Sequence, residues 1–225
     1  LYFFAINFGR NKEEIMKTLA YEQIIFDLGG VLIDIDYQAT EKAFVELGLK
    51  DFGEKYSQLN QNDLFDKLEI GEISAQHFIN KILPLCPEGT SPNKVVAAWN
   101  AMLGEFPKEK IELLHRVKSR LPIYMLSNTN EIHIPKVYEA WDKVSDEPMS
   151  ALFDKIYLSF EIGKRKPDVC TFNWVCESLA INPSTTLFID DSPQHIEGAK
   201  KAGLHTYYYQ SKTEFLDFFN KLLAD

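Results

Sequence analysis

The sequence predicts an α/β fold: a doubly wound, mostly parallel sheet with a small helical insert after its first strand. Three observations predict it. From Lys108 to Leu223, short apolar runs alternate with amphipathic stretches of helical length, as in serial strand-helix units. From Ala39 to about Gly104 there is no convincing strand, only helical segments in series. Polar groups also follow the apolar runs: Asp27, Ser127 with Asn128, and Asp190 with Asp191, with Lys166 in a loop after a similar run. The carboxyl ends of neighbouring parallel strands open onto one crevice, so these groups would meet there as a carboxylate-rich site that needs a cation.

Asn11–Tyr21 has Ile15, Met16 and Leu19 on one side and reads as a short leading helix. Gln23–Leu28 is the first strand, ended by Gly29-Gly30. Helices follow at Thr40–Leu47, at Asn62–Leu68, from Ser74 and from Asn93, separated by Gly48, Gly71, Pro84, Pro87, Gly89 and Pro92. The helix Lys108–Lys118 then covers the sheet, and Pro122–Leu126 is the next strand. Helix Ile132–Trp141, strand Ile156–Leu158, helix Val169–Leu179, strand Thr186–Ile189, helix Gln194–Ala202, strand His205–Tyr209 and helix Thr213–Leu223 complete the order. The domains that follow are an α/β core of 22–36 and 105–225, a helical domain of 37–104 and an N-terminal extension and helix of 1–21. Insertion at a loop adds such a domain at little cost.

The chain of 225 residues, 45% hydrophobic and 25% charged, has the composition of a folded domain. A net charge of -9 argues against a nucleic-acid partner, because binding a phosphate backbone wants a basic surface. No apolar run reaches the roughly 18 residues of a membrane span, and Leu1–Phe8 lacks the layout of a secretory signal. Cys86, Cys170 and Cys176 are odd in number and form no CxxC pair, which points to a reducing, cytoplasmic setting.

The polar groups allow specific chemistry. A carboxylate at Asp27 could attack an electrophile or cap the turn after a strand. Adjacent acids at Asp190 and Asp191 are costly unless a cation compensates them, or they are a solvated loop pair. Ser127 and Asn128 could hold an anion or cap the next helix. Lys166 could neutralise growing charge, with Lys164 and Arg165 near enough to compete for that role.

Four segments carry a resemblance: Ile25-Phe26-Asp27-Leu28-Gly29-Gly30-Val31-Leu32, Leu126-Ser127-Asn128-Thr129-Asn130, Gly163-Lys164-Arg165-Lys166-Pro167-Asp168 and Phe188-Ile189-Asp190-Asp191-Ser192. In this order the chain resembles the haloacid dehalogenase-like superfamily, in the subgroup with a helical cap after the first strand, and is similar to sugar-phosphate phosphatases. The resemblance implies a Rossmann-like core and a Mg²⁺-dependent phosphomonoester hydrolase acting on a small phosphorylated metabolite through an aspartyl-phosphate. Asp27 would be the nucleophile and, with the Gly29 carbonyl and Asp191, a Mg²⁺ ligand, with Asp190 in the shell behind. Ser127, Asn128 and Lys166 would bind the phosphoryl oxygens, the lysine also acting in catalysis. Asp168 would cap the following helix.

The chain departs from the pattern at Gly29, where most phosphatases of the superfamily carry a second Asp as acid and base. Loss of that group costs about two to four orders of magnitude, unless water, the substrate or a cap residue replaces it. Asp34 and Asp36 are candidates for that replacement or a polar hinge, and His195 reads as a hydrogen-bonding helix residue rather than a ligand. Trp99, Asn100, Phe78 and His77 are candidate specificity residues, although aromatics at helical spacing usually make core. The paired acids argue against carbon–halogen cleavage. A phosphomutase and a catalytically weakened phosphosugar-binding protein are the alternatives, and the oligomeric state is open between monomer and homodimer.

Overall fold

A computed structural model of the chain describes residues 21–49 and 63–224. The expected leading helix at 11–21 lies outside the described residues except for its last position. The elements are β1 (Gln23–Phe26), α1 (Tyr37–Glu46), α2 (Asp63–Glu69), α3 (Ala75–Ile82), α4 (Pro92–Asn100), α5 (Lys108–Lys118), β2 (Ile123–Ser127), α6 (His133–Trp141), α7 (Met149–Leu152) and β3 (Lys155–Leu158). Then come α8 (Ser159–Ile162), α9 (Val169–Leu179), β4 (Thr186–Asp190), α10 (Pro193–Lys201), β5 (His205–Tyr208) and α11 (Lys212–Leu222). The short helices α7 and α8 were not expected, because four residues carry too little periodicity to read.

The strands form one parallel sheet in the order β3-β2-β1-β4-β5. Period-two alternation sorts their side chains onto two faces. Ile24, Phe26, Ile123, Met125, Leu187 and Ile189 pack into a cluster with Leu114 of α5, Val137 of α6 and Phe219 of α11. Ile25, Leu126 and Phe188 face the other way, against Phe172 and Val175 of α9 and Ala199 of α10. Both faces are therefore covered, as a parallel sheet requires. The strand order reverses between β1 and β4, which places the crevice of the sheet at the carboxyl ends of those two strands.

The first strand stops two residues earlier than expected. Leu28 begins a tight turn, its carbonyl accepting from the N–H groups of Leu32 and Ile33, and Gly30 takes a φ of 74° that disfavours side chains. A Cβ at Gly30 would also run into the Asp191 carboxylate.

Helices α1 to α4 enclose a separate apolar cluster built on Phe44, Phe65, Phe78, Val95 and Trp99. They cap the carboxyl edge of the sheet. The chain enters this insert through Asp34–Asp36 and returns through Met102–Glu105, and the two segments run side by side. Ile35 bridges Leu103 in antiparallel sense. Asp34 N donates to Glu105 O at 3.1 Å, Asp36 N to Met102 O at 2.9 Å and Gly104 N to Asp34 O at 2.9 Å. The Asp36 carboxylate then accepts from Gln38 N and Ala39 N, capping α1.

Candidate active site

Register puts the acids level with one another. Phe26 pairs with Ile189, and Asp27 N donates to Ile189 O at 2.9 Å, so Asp27 and Asp190 stand side by side at the ends of β1 and β4. Lys166 reaches between them from the loop after α8. Its Nζ lies 2.7 Å from Asp27 Oδ1 and 2.7 Å from Asp190 Oδ2, and the residue is fully buried. Burial by itself would lower the lysine's pKa, but Asp190 and Asp27 outweigh it and the net shift is upward. The ammonium is retained.

The two carboxylates behave differently. Burial, followed by repulsion from Asp190, pushes Asp27 well above the ordinary carboxylate range, and Lys166 offsets only part of this. Burial would raise Asp190 too, yet Lys166 and a hydrogen bond from His195 bring it down to about 2. Asp190 has its oxygens engaged: Oδ1 accepts from Ser192 N at 2.8 Å, His195 Nδ1 lies 2.9 and 3.0 Å from the two oxygens, and Lys166 holds Oδ2. His195 thus reaches Asp190 from the first turn of α10. Asp191 lies against Gly30, and burial, then Asp190, lift its pKa from 3.8 to about 6.

This surplus of negative charge is what a cation would relieve. One oxygen each of Asp27 and Asp190 and a ring nitrogen of His195 lie within 4.8 Å of one another, and this mostly hard, anionic donor set suits a divalent metal.

Asn128 does more for the loop than its sequence position suggests. Its side-chain Nδ2 donates to Lys166 O at 2.8 Å and its Oδ1 accepts from Lys166 N at 2.9 Å, so both amide functions are spent on the lysine's backbone. Helix α6 is capped from Asn130, whose Oδ1 accepts from Ile132 N and His133 N at 3.1 Å each, and not from Ser127 or Asn128. Ser127 is buried at the end of β2 on the cleft wall. Asp168 stands at the start of α9 but makes no capping bond, and its side chain is exposed.

The cleft leaves about 100 Å³ accessible to the centres of water-sized molecules. Asp27, Gly29, Ser127, Asn128, Lys166 and Asp191 share its lining with Trp99, His133, Glu69 and Tyr37. Tyr37 is 38% exposed at the rim, and loss of water around its phenol together with the Asp191 carboxylate raises the phenol, which keeps its proton. Arg165 turns toward the cap and ion-pairs with Asp66 and Glu69 of α2. Asp34 pairs with Lys110 at 3.6 Å on the neck. Asp34 and Asp36 do not line the cleft, in keeping with a polar hinge. Phe78 is cap core, and His77 is exposed. The sequence reading missed His133, whose place six residues beyond Ser127, at the mouth of a strand-helix unit, is the signal that could have found it.

Fold and site together define a class: a capped, parallel α/β enzyme with an acidic cluster and a buried lysine at the switch point of its sheet. The chain belongs to the haloacid dehalogenase-like hydrolases, whose family description matches residues 21–203. Over 186 residues it is 30% identical to D-ribitol-5-phosphate phosphatase of Bacteroides thetaiotaomicron, covering 83% of this chain and 90% of that protein. A HAD family enzyme of that organism, crystallised with magnesium and inorganic phosphate, superposes with a TM-score of 0.79 at 32% identity, covering 85% of this chain and 96% of that one. A predicted HAD-like family hydrolase from Porphyromonas gingivalis gives a TM-score of 0.82 at 27% identity, over 92% and 99% of the two chains. Among the described residues, no helix is long and apolar enough to cross a membrane.

Proposed function

We propose that this hydrolase is a magnesium-dependent phosphatase of a small phosphorylated metabolite, a sugar or polyol phosphate, working through an aspartyl-phosphate on Asp27, with residues 37–104 as its cap. The observation that carries the reading is Lys166, buried and ion-paired at 2.7 Å to both Asp27 and Asp190 on the floor of a cleft that Ser127, Asn128 and Asp191 also line. The kinship to a ribitol-phosphate phosphatase supports the substrate class.

In the first step an Asp27 oxygen attacks phosphorus in line, the bond from phosphorus to the leaving oxygen breaks and, with no acid at Gly29, that oxygen takes a proton from water, leaving hydroxide to the solvent. In the second, water attacks the phosphorus of the acyl-phosphate, the bond to Asp27 breaks, and phosphate leaves. Lys166 balances charge through both steps and steers the attacking oxygen. The Ser127 hydroxyl and the main-chain N–H of Asn128 hold phosphoryl oxygens, the Asn128 amide being committed to the lysine's backbone. Within that acidic cluster, Asp27, Asp191 and the Gly29 carbonyl would hold Mg²⁺, with Asp190 and His195 behind them because Asp190 already accepts from Lys166 and Ser192 and is bonded to His195. Bound magnesium would neutralise the clustered acids and orient a phosphoryl oxygen.

The test is phosphate release from ribitol 5-phosphate and a panel of sugar phosphates. Turnover is expected with Mg²⁺, to vanish with EDTA, and to fall at least about a thousandfold in Asp27→Asn. Binding without release would favour a weakened phosphosugar-binding protein. An active Asp27→Asn protein would sink the aspartyl-phosphate.

A further inference from the structure

His133 opens α6 and lies 7% exposed on the wall of the cleft that holds Asp27, Ser127 and Lys166. Two contacts from the cap fix its imidazole. The ring lies flat on the Trp99 indole, centroids 5.2 Å apart and planes 6° apart. Its Nδ1 is 2.8 Å from Asn100 Oδ1. An amide oxygen can only accept, so Nδ1 carries the proton. Burial lowers the ring's pKa from 6.5 to about 3, so no second proton is taken near neutrality and Nε2 presents a lone pair. Trp99 and Asn100 end α4, so the core carries this ring and the cap sets its orientation and tautomer.

A lone pair held this way selects its partner. It repels a phosphoryl oxygen, which is also an acceptor, and it gains nothing from an alkyl or aryl surface. It is satisfied by an O–H group. On a phosphomonoester at neutral pH, the O–H groups are on the leaving alcohol.

We infer that His133 is a specificity-determining residue that accepts, through Nε2, a hydrogen bond from a hydroxyl of the leaving group, so that the cleft selects polyhydroxylated phosphomonoesters over simple alkyl or aryl ones. This rests on the phosphatase reading above and names the feature by which that site recognises its substrate. Asn100 is a positioning residue that acts through the imidazole.

The experiment compares ribitol 5-phosphate with its monodeoxy analogues, by kcat/KM on the wild type and by calorimetric binding to the Asp27→Asn protein. One analogue is expected to be about 10–100-fold poorer in both. In His133→Phe, which keeps a ring on Trp99, that gap closes, and ¹⁵N spectra of the wild-type imidazole show Nδ1 protonated and Nε2 bare. The inference is overturned if all analogues perform alike in the wild type, if His133→Phe weakens every substrate evenly and leaves the gap, or if Nε2 carries the proton. Both wild-type readouts decide the matter even if the variant fails to fold. Binding that shows the gap without phosphate release upholds the hydroxyl contact and sinks the phosphatase. Release without a gap does the reverse, and the absence of both binding and release sinks both.

Discussion

The floor of the cleft and its roof are stabilised by different physics. On the floor, Asp27, Lys166 and Asp190 form a buried chain of ion pairs in which each member depends on the next. In the roof, Trp99 stacks on Phe65 with centroids 5.1 Å apart and meets Phe78 at 4.9 Å and Phe44 at 6.2 Å, an apolar cluster whose polar contacts lie at its edges. Removing one member of a buried charge pair costs several kcal/mol because the partner is stranded, whereas apolar packing accepts a replacement of similar volume for under about 1.5 kcal/mol. On the proposed reading, the chemistry sits in a part of the molecule that tolerates almost no change, beneath a roof that tolerates much.

The largest effect should come from Lys166→Met. It leaves Asp27 and Asp190 facing each other and should cost about 3–5 kcal/mol in urea unfolding and about a thousandfold in phosphate release. Retention of both stability and turnover would break the contrast at its strongest point.

Gly29→Asp sharpens the comparison from the other side. The Gly29 backbone lies outside the left-handed region, and a Cβ there would meet Ile35 Cγ1 at an ordinary 3.4 Å. A carboxyl at this position should supply the missing acid and raise kcat at least about tenfold on substrates with poor leaving groups. A fall in kcat would mean that a cap residue or the substrate already fills that role.

The floor should also show itself in its pH response. Asp191, lifted from 3.8 to about 6 by burial and then by Asp190, and Asp27, raised in the same sense, bind protons more tightly folded than unfolded. The Asp191 contribution to stability is therefore full below about pH 4 and is lost as pH rises through about 6, and the Asp27 contribution is lost in the same direction. A divalent cation needs the ionised forms and offsets that loss. The gap in melting temperature between Mg²⁺-loaded and EDTA-treated protein should widen from pH 4 to 6.5, and a constant gap would refute the account.

The smallest effect belongs to the roof. Phe65 is buried in the cap cluster but does not line the cleft, so Phe65→Leu should cost about 1 kcal/mol in thermal unfolding and leave kcat within about twofold. A large loss of kcat would show that roof packing reaches the reacting atoms.

The same division governs what the sequence reveals. Asp27, Ser127, Asp190 and Asp191 were legible because a parallel sheet delivers every strand's carboxyl end to one edge, so that position after an apolar run is also position in space. The Lys166-Pro167 step separated the lysine from Lys164 and Arg165, and the structure sends Arg165 to Asp66 and Glu69. Contacts between remote segments were not legible. The role of His133 depends on Asn100 of another helix, and the Asn128 amide meets a backbone 38 residues away. Asp168 had the right type and place for a cap, but its side chain is exposed and makes no capping bond.

The paired neck of Asp34–Asp36 and Met102–Glu105 has an evolutionary consequence. Since the two crossings are adjacent, a different cassette could be spliced in there by matching a single short gap, without pulling on the strands below. A lineage could then trade one diet of metabolites for another by grafting, while the hydrolytic engine is inherited intact.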